Sequence, residues 1–145
     1  MIKELILQMI YCFMASLFFA LIMNSPKKVL AYTSLIASLG YLIYILCINY
    51  GNPKLGFFLG TMFIAFLGEI CARRFKMPAT IFIFPAVIPI VPGLGLYETI
   101  LAFVQDDIFL ALKVGTNTIL NIGSMAIAMA IISLIAIKLK IKPKI

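Results

Sequence analysis

Residues 81–99 read IFIFPAVIPIVPGLGLYET, a run apolar enough for a lipid bilayer yet punctuated by Pro85, Pro89 and Pro92, then by Gly93 and Gly95. Proline removes a backbone donor and clashes with the preceding turn, and glycine lets the chain leave helical geometry. Two short helical pieces around a break are therefore expected. Irregular backbone persists at membrane depth only where it is buried in protein or lines a watery cavity. The run marks a candidate site inside a bilayer, and the other hydrophobic segments read as its housing.

Composition supports a membrane setting. Of 145 residues, 64% are hydrophobic and 12% charged, whereas soluble domains run about half apolar and a quarter charged. The expected fold is an all-α integral membrane protein with five transmembrane helices, at about 5–23, 29–48, 55–72, 79–104 and 114–137, the fourth broken near 92–95. Each apolar segment approaches the roughly 20 residues of one crossing. One transmembrane domain over residues 1–145 is expected, with no room for a soluble catalytic domain. The first run is too long for a signal h-region and lacks an A-x-A site, so it counts as a helix. NSPKK (24–28) and NYGNPK (49–54) are turns by their Asn, Gly and Pro content.

The net charge of +7 points to juxtamembrane lysines facing an anionic leaflet, and no nucleic acid is expected. Five crossings would leave Lys3, Lys54 and Lys113 on one side and the other nine Lys and Arg on the opposite side. The positive-inside rule then puts the N-terminus outside and the C-terminus in the cytoplasm of a cell (inner) membrane. A re-entrant fourth segment would split the twelve six against six, so a full crossing is preferred. Histidine is absent, which removes imidazole metal sites and His-based triads. No metal, cofactor or catalytic residue is expected. Cys12, Cys47 and Cys71 are far apart and read as free thiols.

Small residues mark packing faces. Ser34, Ser38 and Tyr41 share a face with Ala37 and Gly40 beside them, and Gly56 and Gly60 form G-x-x-x-G, continued by Thr61, Ala65 and Gly68. Glu69 and Arg73 stand four apart, as a snorkelling pair at the inner boundary. Asp106 and Asp107 read as a solvated turn.

The chemistry concentrates at the break. Backbone N–H groups of residues 94–97 are expected to lack intrahelical acceptors. With the positive end of a helix dipole they suit a carboxylate. Pro89, Pro92, Gly93, Leu94, Gly95 and Tyr97 are therefore candidate substrate-binding residues. Glu98, one turn on, is an ionisable residue in membrane-buried sequence, a candidate proton-coupling group; a structural carboxylate at a helix N-terminus is the alternative. Asn117, Asn121 and Ser124 share one face of the last helix. Counted from the expected helix ends, Asn121 and Glu98 share a depth. Asn117 and Asn121 join the candidate substrate-binding set, with helix–helix bonding as the alternative.

Several of these residues carry a family likeness: NSPKK at 24–28, SLIASLG ending at Gly40, the lone Pro78 before helix four, and above all IPIVPGLGLY at 88–97 followed by the acidic turn at Asp106. With them, nearly the whole chain resembles the small membrane subunit of the threonine/serine exporter (ThrE) family. The resemblance implies a five-helix subunit that pairs with, or is fused to, a larger membrane partner with its own five helices. It implies export of threonine and serine or, in split two-gene members, of a dicarboxylate such as succinate. The family pattern carries over Pro89, Pro92, Gly93 and Tyr97; Glu98 and Asn121 rest on physical grounds alone.

The expected function is thus a secondary exporter subunit for a small carboxylate, with a larger ThrE-type subunit or further copies of the chain as partners. The alternative is a non-transporting membrane scaffold. An intramembrane enzyme ranks last because no catalytic dyad at helical spacing stands out.

Overall fold

A computed structural model of the chain describes residues 2–138, so Lys140, Lys142 and Lys144 of the expected basic tail lie outside the described residues. The described residues form helices α1 (Ile2–Ile22), α2 (Lys27–Asn49), α3 (Pro53–Phe75), α4 (Thr80–Val87), α5 (Gly93–Val104) and α6 (Ile108–Lys138), with a 3-10 turn at Ile88–Ile90 between α4 and α5. Four helices are long and apolar enough to cross a membrane, and the α4–α5 pair, bent by 58°, makes a fifth when taken as one span. The all-α membrane fold with a broken fourth segment is as expected. One boundary moves. The last helix starts at Ile108, not 114, because Asp107 caps it: Asp107 Oδ1 accepts from the Leu110 N–H at 3.0 Å. Charge at Lys113 looked like the edge of a span, but it is merely the second turn of a 31-residue helix, about 46 Å long at 1.5 Å per residue.

Four helix ends share one device. Asn24, Gly51, Lys76 and Asp106 have φ of 54°, 81°, 53° and 60°. At each, the next N–H reaches back five residues and its own N–H reaches back three: Ser25 to Ala20, Asn52 to Cys47, Met77 to Ala72 and Asp107 to Ala102 carry the longer bonds. This is the Schellman motif, which satisfies carbonyls that a helix end would leave bare. Only one of the four left-handed positions is glycine. Asp106→Gly is therefore expected to raise stability by about 1 kcal/mol, a gain of a few degrees in Tm in detergent; an unchanged or lower midpoint would contradict this turn geometry.

The centre of the molecule is α4 with its 3-10 turn, held by α1, α2 and α3. Phe82, Pro85, Ala86, Val87 and Ile90 are all buried. In lipid, apolar surface alone does not bring helices together, so close backbone approach and internal hydrogen bonds matter more. Both operate here. A methyl group added at Gly56 would stand 3.0 Å from the Tyr44 carbonyl oxygen, and one at Gly60 would stand 3.1 Å from that of Gly40. The G-x-x-x-G face of α3 thus lies on the backbone of α2. Ser38 Oγ donates across to the Met9 carbonyl at 3.0 Å, joining α2 to α1. α1 contributes only the narrow buried stripe Cys12, Ser16 and Ala20. α6 lays its C-terminal half along α3 through Met125, Ala128 and Ile132, while α5 touches α6 alone among the described elements.

Candidate functional site

Backbone bonds locate the break. Pro85 lies inside α4 and Pro89 in the 3-10 turn, and neither can donate to the preceding turn. The Val91 N–H ends the first half by donating to the Ile88 carbonyl at 3.3 Å. Pro92 then adopts φ −76° and ψ 61°, the inverse γ-turn. The Gly93 N–H closes that turn on the Val91 carbonyl at 2.7 Å, and the Leu96 N–H opens α5 by donating to the Pro92 carbonyl at 3.3 Å. The expected row of free donors over residues 94–97 is therefore shorter. Leu96 is already bonded, which leaves the N–H groups of Leu94 and Gly95.

Exposure separates the candidates. Leu94 is 70% exposed and Tyr97 61%. Gly93, Glu98 and Asn117 are also exposed, whereas Pro89, Pro92, Gly95 and Asn121 are half-buried. α5 and the first half of α6 form a hairpin whose outer face carries Leu94, Ile100, Val104, Phe109 and Ile119, all more than half exposed.

Two glycine–threonine contacts set the hairpin's register. Gly95 packs against Thr118, and a methyl added at Gly115 would meet Thr99 Cγ2 at 3.0 Å. Both hydroxyls are satisfied within their own helices: Thr99 Oγ1 donates to the Gly95 carbonyl at 2.6 Å and Thr118 Oγ1 to that of Val114 at 2.9 Å. These threonines and Gly115 were not singled out from the sequence, although G-x-x-x-T on α5 and G-x-x-T on α6 are visible there as small-residue spacings. The antiparallel register puts Asn121 level with residues 92–93 and Glu98 level with residues 115–116. The two are offset by about 8 Å along the hairpin at 1.5 Å per residue. They do not share a depth, because α6 begins two turns before the boundary from which depth was counted. Asn121 instead prolongs the buried stripe of Met125, Ala128 and Ile132. It is thus Asn121, not Glu98, that is level with the break.

A second charged site lies at the other end of α3. Arg73 Nη2 is 3.9 Å from Glu69 Oε2, as the i, i+4 spacing leads one to expect. The same nitrogen donates to the Ala136 carbonyl of α6 at 2.6 Å, a tie that no side-chain pattern announces. Glu69 and Arg73 line two cavities. One, of about 570 Å³, opens toward the loop at Lys76, Met77 and Pro78. The other, of about 210 Å³, lies between α3 and α6 against Phe66, Ile70 and Ile132.

The family described as the threonine/serine exporter, ThrE, matches residues 8–135, from the first turns of α1 to the end of α6. An uncharacterized protein of Haemophilus influenzae is 30% identical over 103 residues, which cover 70% of this chain and 35% of that protein. The chain thus spans about a third of that relative's length. No solved structure is detectably similar. Across nearly all of the described fold, broken segment included, the match is continuous: the chain belongs to the threonine/serine exporter (ThrE) family.

Proposed function

We propose that this chain is a membrane subunit of a secondary exporter of small amino acids, threonine and serine first, that works with a larger ThrE-type membrane subunit in the inner membrane. The observation that carries the proposal is the break at Pro92. It presents the unbonded N–H groups of Leu94 and Gly95 at a helix N-terminus, level with the half-buried Asn121. Such an end suits a carboxylate through its dipole and its donors. Discontinuous helices of this kind build the substrate sites of many secondary transporters. Tyr97 and Asn117 flank the same hairpin. Glu98, one turn further along, is the proton-coupling group in this reading. A dicarboxylate such as succinate is the second cargo, since it offers the same carboxylate to the same donors. The apolar outer face of the α5–α6 hairpin is where the larger subunit, or a second copy of this chain, would complete the site. The orientation follows the charge bias, with the Arg73 end of α3 in the cytoplasm.

Efflux tests this directly. Cells stripped of their own exporters are loaded with labelled threonine, serine or succinate, and the chain is expressed with and without the larger subunit. Threonine efflux by the pair is expected, and Glu98→Gln should cut it about tenfold, equivalent to 1.4 kcal/mol, at equal expression. Failure of chain and pair to move any of the three cargoes would leave the scaffold reading in its place. Efflux undiminished by Glu98→Gln would keep the exporter and remove its coupling residue.

A further inference from the structure

We infer that Glu69 and Arg73 form a recognition site for the paired charges of a free α-amino acid, Arg73 taking the carboxylate and Glu69 the ammonium, at the basic end of α3. The inference rests on the exporter reading for its cargo but concerns a different place, at the opposite end of α3 from the Pro92 break.

Position is the first support. The pair forms a wall common to two cavities. The larger, about 570 Å³, is within the roughly 300–1,000 Å³ range of small-molecule sites. It is bounded by the turn residues Lys76, Met77 and Pro78, so it lies at the C-terminal end of α3. The smaller is an apolar recess between α3 and α6, walled by Phe66, Ile70 and Ile132.

Charge geometry is the second. An α-amino acid carries one positive and one negative group on a single carbon. Glu69 and Arg73 project the opposite charges from positions about one helical turn apart. Their own contact is long, 3.9 Å, and the guanidinium has five donors in a planar fork that fits a carboxylate. One of those nitrogens holds the Ala136 carbonyl, which fixes the head group while leaving donors for a ligand. Lys76, at the left-handed turn that ends α3, lines the larger cavity as a second cation. Binding a zwitterion therefore replaces one loose ion pair by two closer ones.

The same arrangement discriminates between the two cargoes. A dicarboxylate would place its second carboxylate against Glu69, where like charges repel. Glu69 is then a specificity residue rather than a mere neutraliser of Arg73. Because Arg73 also ties α3 to the last turn of α6, a ligand on its guanidinium acts on the helix whose other half carries the hairpin.

The chain has no tryptophan, so Met77→Trp places a single reporter on the wall of the larger cavity. The full-length variant in detergent micelles is titrated with threonine, serine and succinate, and its emission followed. A saturable response to threonine is expected. Adding Glu69→Gln should weaken the threonine response at least tenfold while leaving that to succinate unchanged or stronger. Arg73→Gln should remove both responses, and Arg73→Lys, which keeps the charge, should restore part of each. Thermal unfolding of every variant guards against misfolding, and the split between threonine and succinate is a readout that a purely structural ion pair would not move. No response to threonine, or equal weakening of both ligands by Glu69→Gln, overturns the site. If efflux by the wild-type pair persists in that case, the exporter reading survives without it. A split response with no efflux would keep the site and sink the exporter.

Discussion

Gly60→Leu is expected to destabilise the folded protein by about 3 kcal/mol or more, at the upper end of ordinary overpacking. Any side chain at this position meets two separate elements, α2 and the 3-10 turn. An added methyl would stand 3.1 Å from the Gly40 carbonyl oxygen on α2, 3.2 Å from Tyr44 Cβ and 3.3 Å from Ile90 Cδ1 in the 3-10 turn. The first of these is backbone and cannot rotate away. Gly40 in turn packs on Ile64, so the α2 backbone cannot retreat without disturbing α3 a turn further on. The strain would fall on Ile90, the last buried residue before the break, and would reach the proposed site as well as the core. The check is thermal unfolding in detergent, followed by loss of the monodisperse chromatographic peak. A shift of about 10 °C or more is expected. By contrast, Gly123, whose added methyl meets nothing within 4 Å, should accept alanine with little change. Equal midpoints for Gly60→Leu and the parent protein would contradict the close approach of α2 and α3.

The residues that could be read in advance share a property: their chemistry acts locally. Pro89 and Pro92, with the glycine that closes the γ-turn, end a helix by local chemistry, so the broken segment was legible, although α4 accommodates Pro85 in its last turn. Gly56 and Gly60 announce a close helix contact by spacing alone, and Glu69 and Arg73 announce an ion pair. The extent of α6 was less visible. Lys113 looked like the end of a span, but helices outlast the hydrocarbon when a side chain such as Asp107 satisfies their first N–H groups. The hairpin register was not legible, since it depends on which apolar face meets another helix and which meets lipid, and both are equally greasy. Nor was the Arg73 bond to Ala136, because every residue has a carbonyl and the sequence does not distinguish one.

The sharpest contrast lies two residues apart, at Gly93 and Gly95. In the exporter proposed above, Gly95→Leu is expected to abolish efflux while the chain still inserts. α5 has no contact with α1 to α4 among the described elements, so its position depends on the face it turns to α6. At the N-terminal end of that face an added methyl on Gly95 would overlap Thr118 Oγ1, with Thr118 Cβ and Cγ2 at 3.4 Å. Thr118 is 3% exposed and its hydroxyl is committed to the Val114 carbonyl, so it cannot swing aside without breaking that bond. Overpacking of this kind costs about 1–3 kcal/mol, and it falls on one of the two glycine–threonine contacts that set the register. Gly93 differs. Nothing lies within 4 Å of its added methyl, and its φ is not positive, so neither space nor backbone conformation requires glycine there. Gly93→Leu should leave the hairpin intact. The separating measurement is a disulfide cross-link between Thr99→Cys and Gly115→Cys, which report the register directly. The cross-link is expected to survive Gly93→Leu and to fail with Gly95→Leu. Efflux lost in Gly93→Leu with the cross-link preserved would locate cargo at the break itself, since packing there is unchanged. Efflux and cross-link both retained in Gly95→Leu would show that α5 is held by something other than α6.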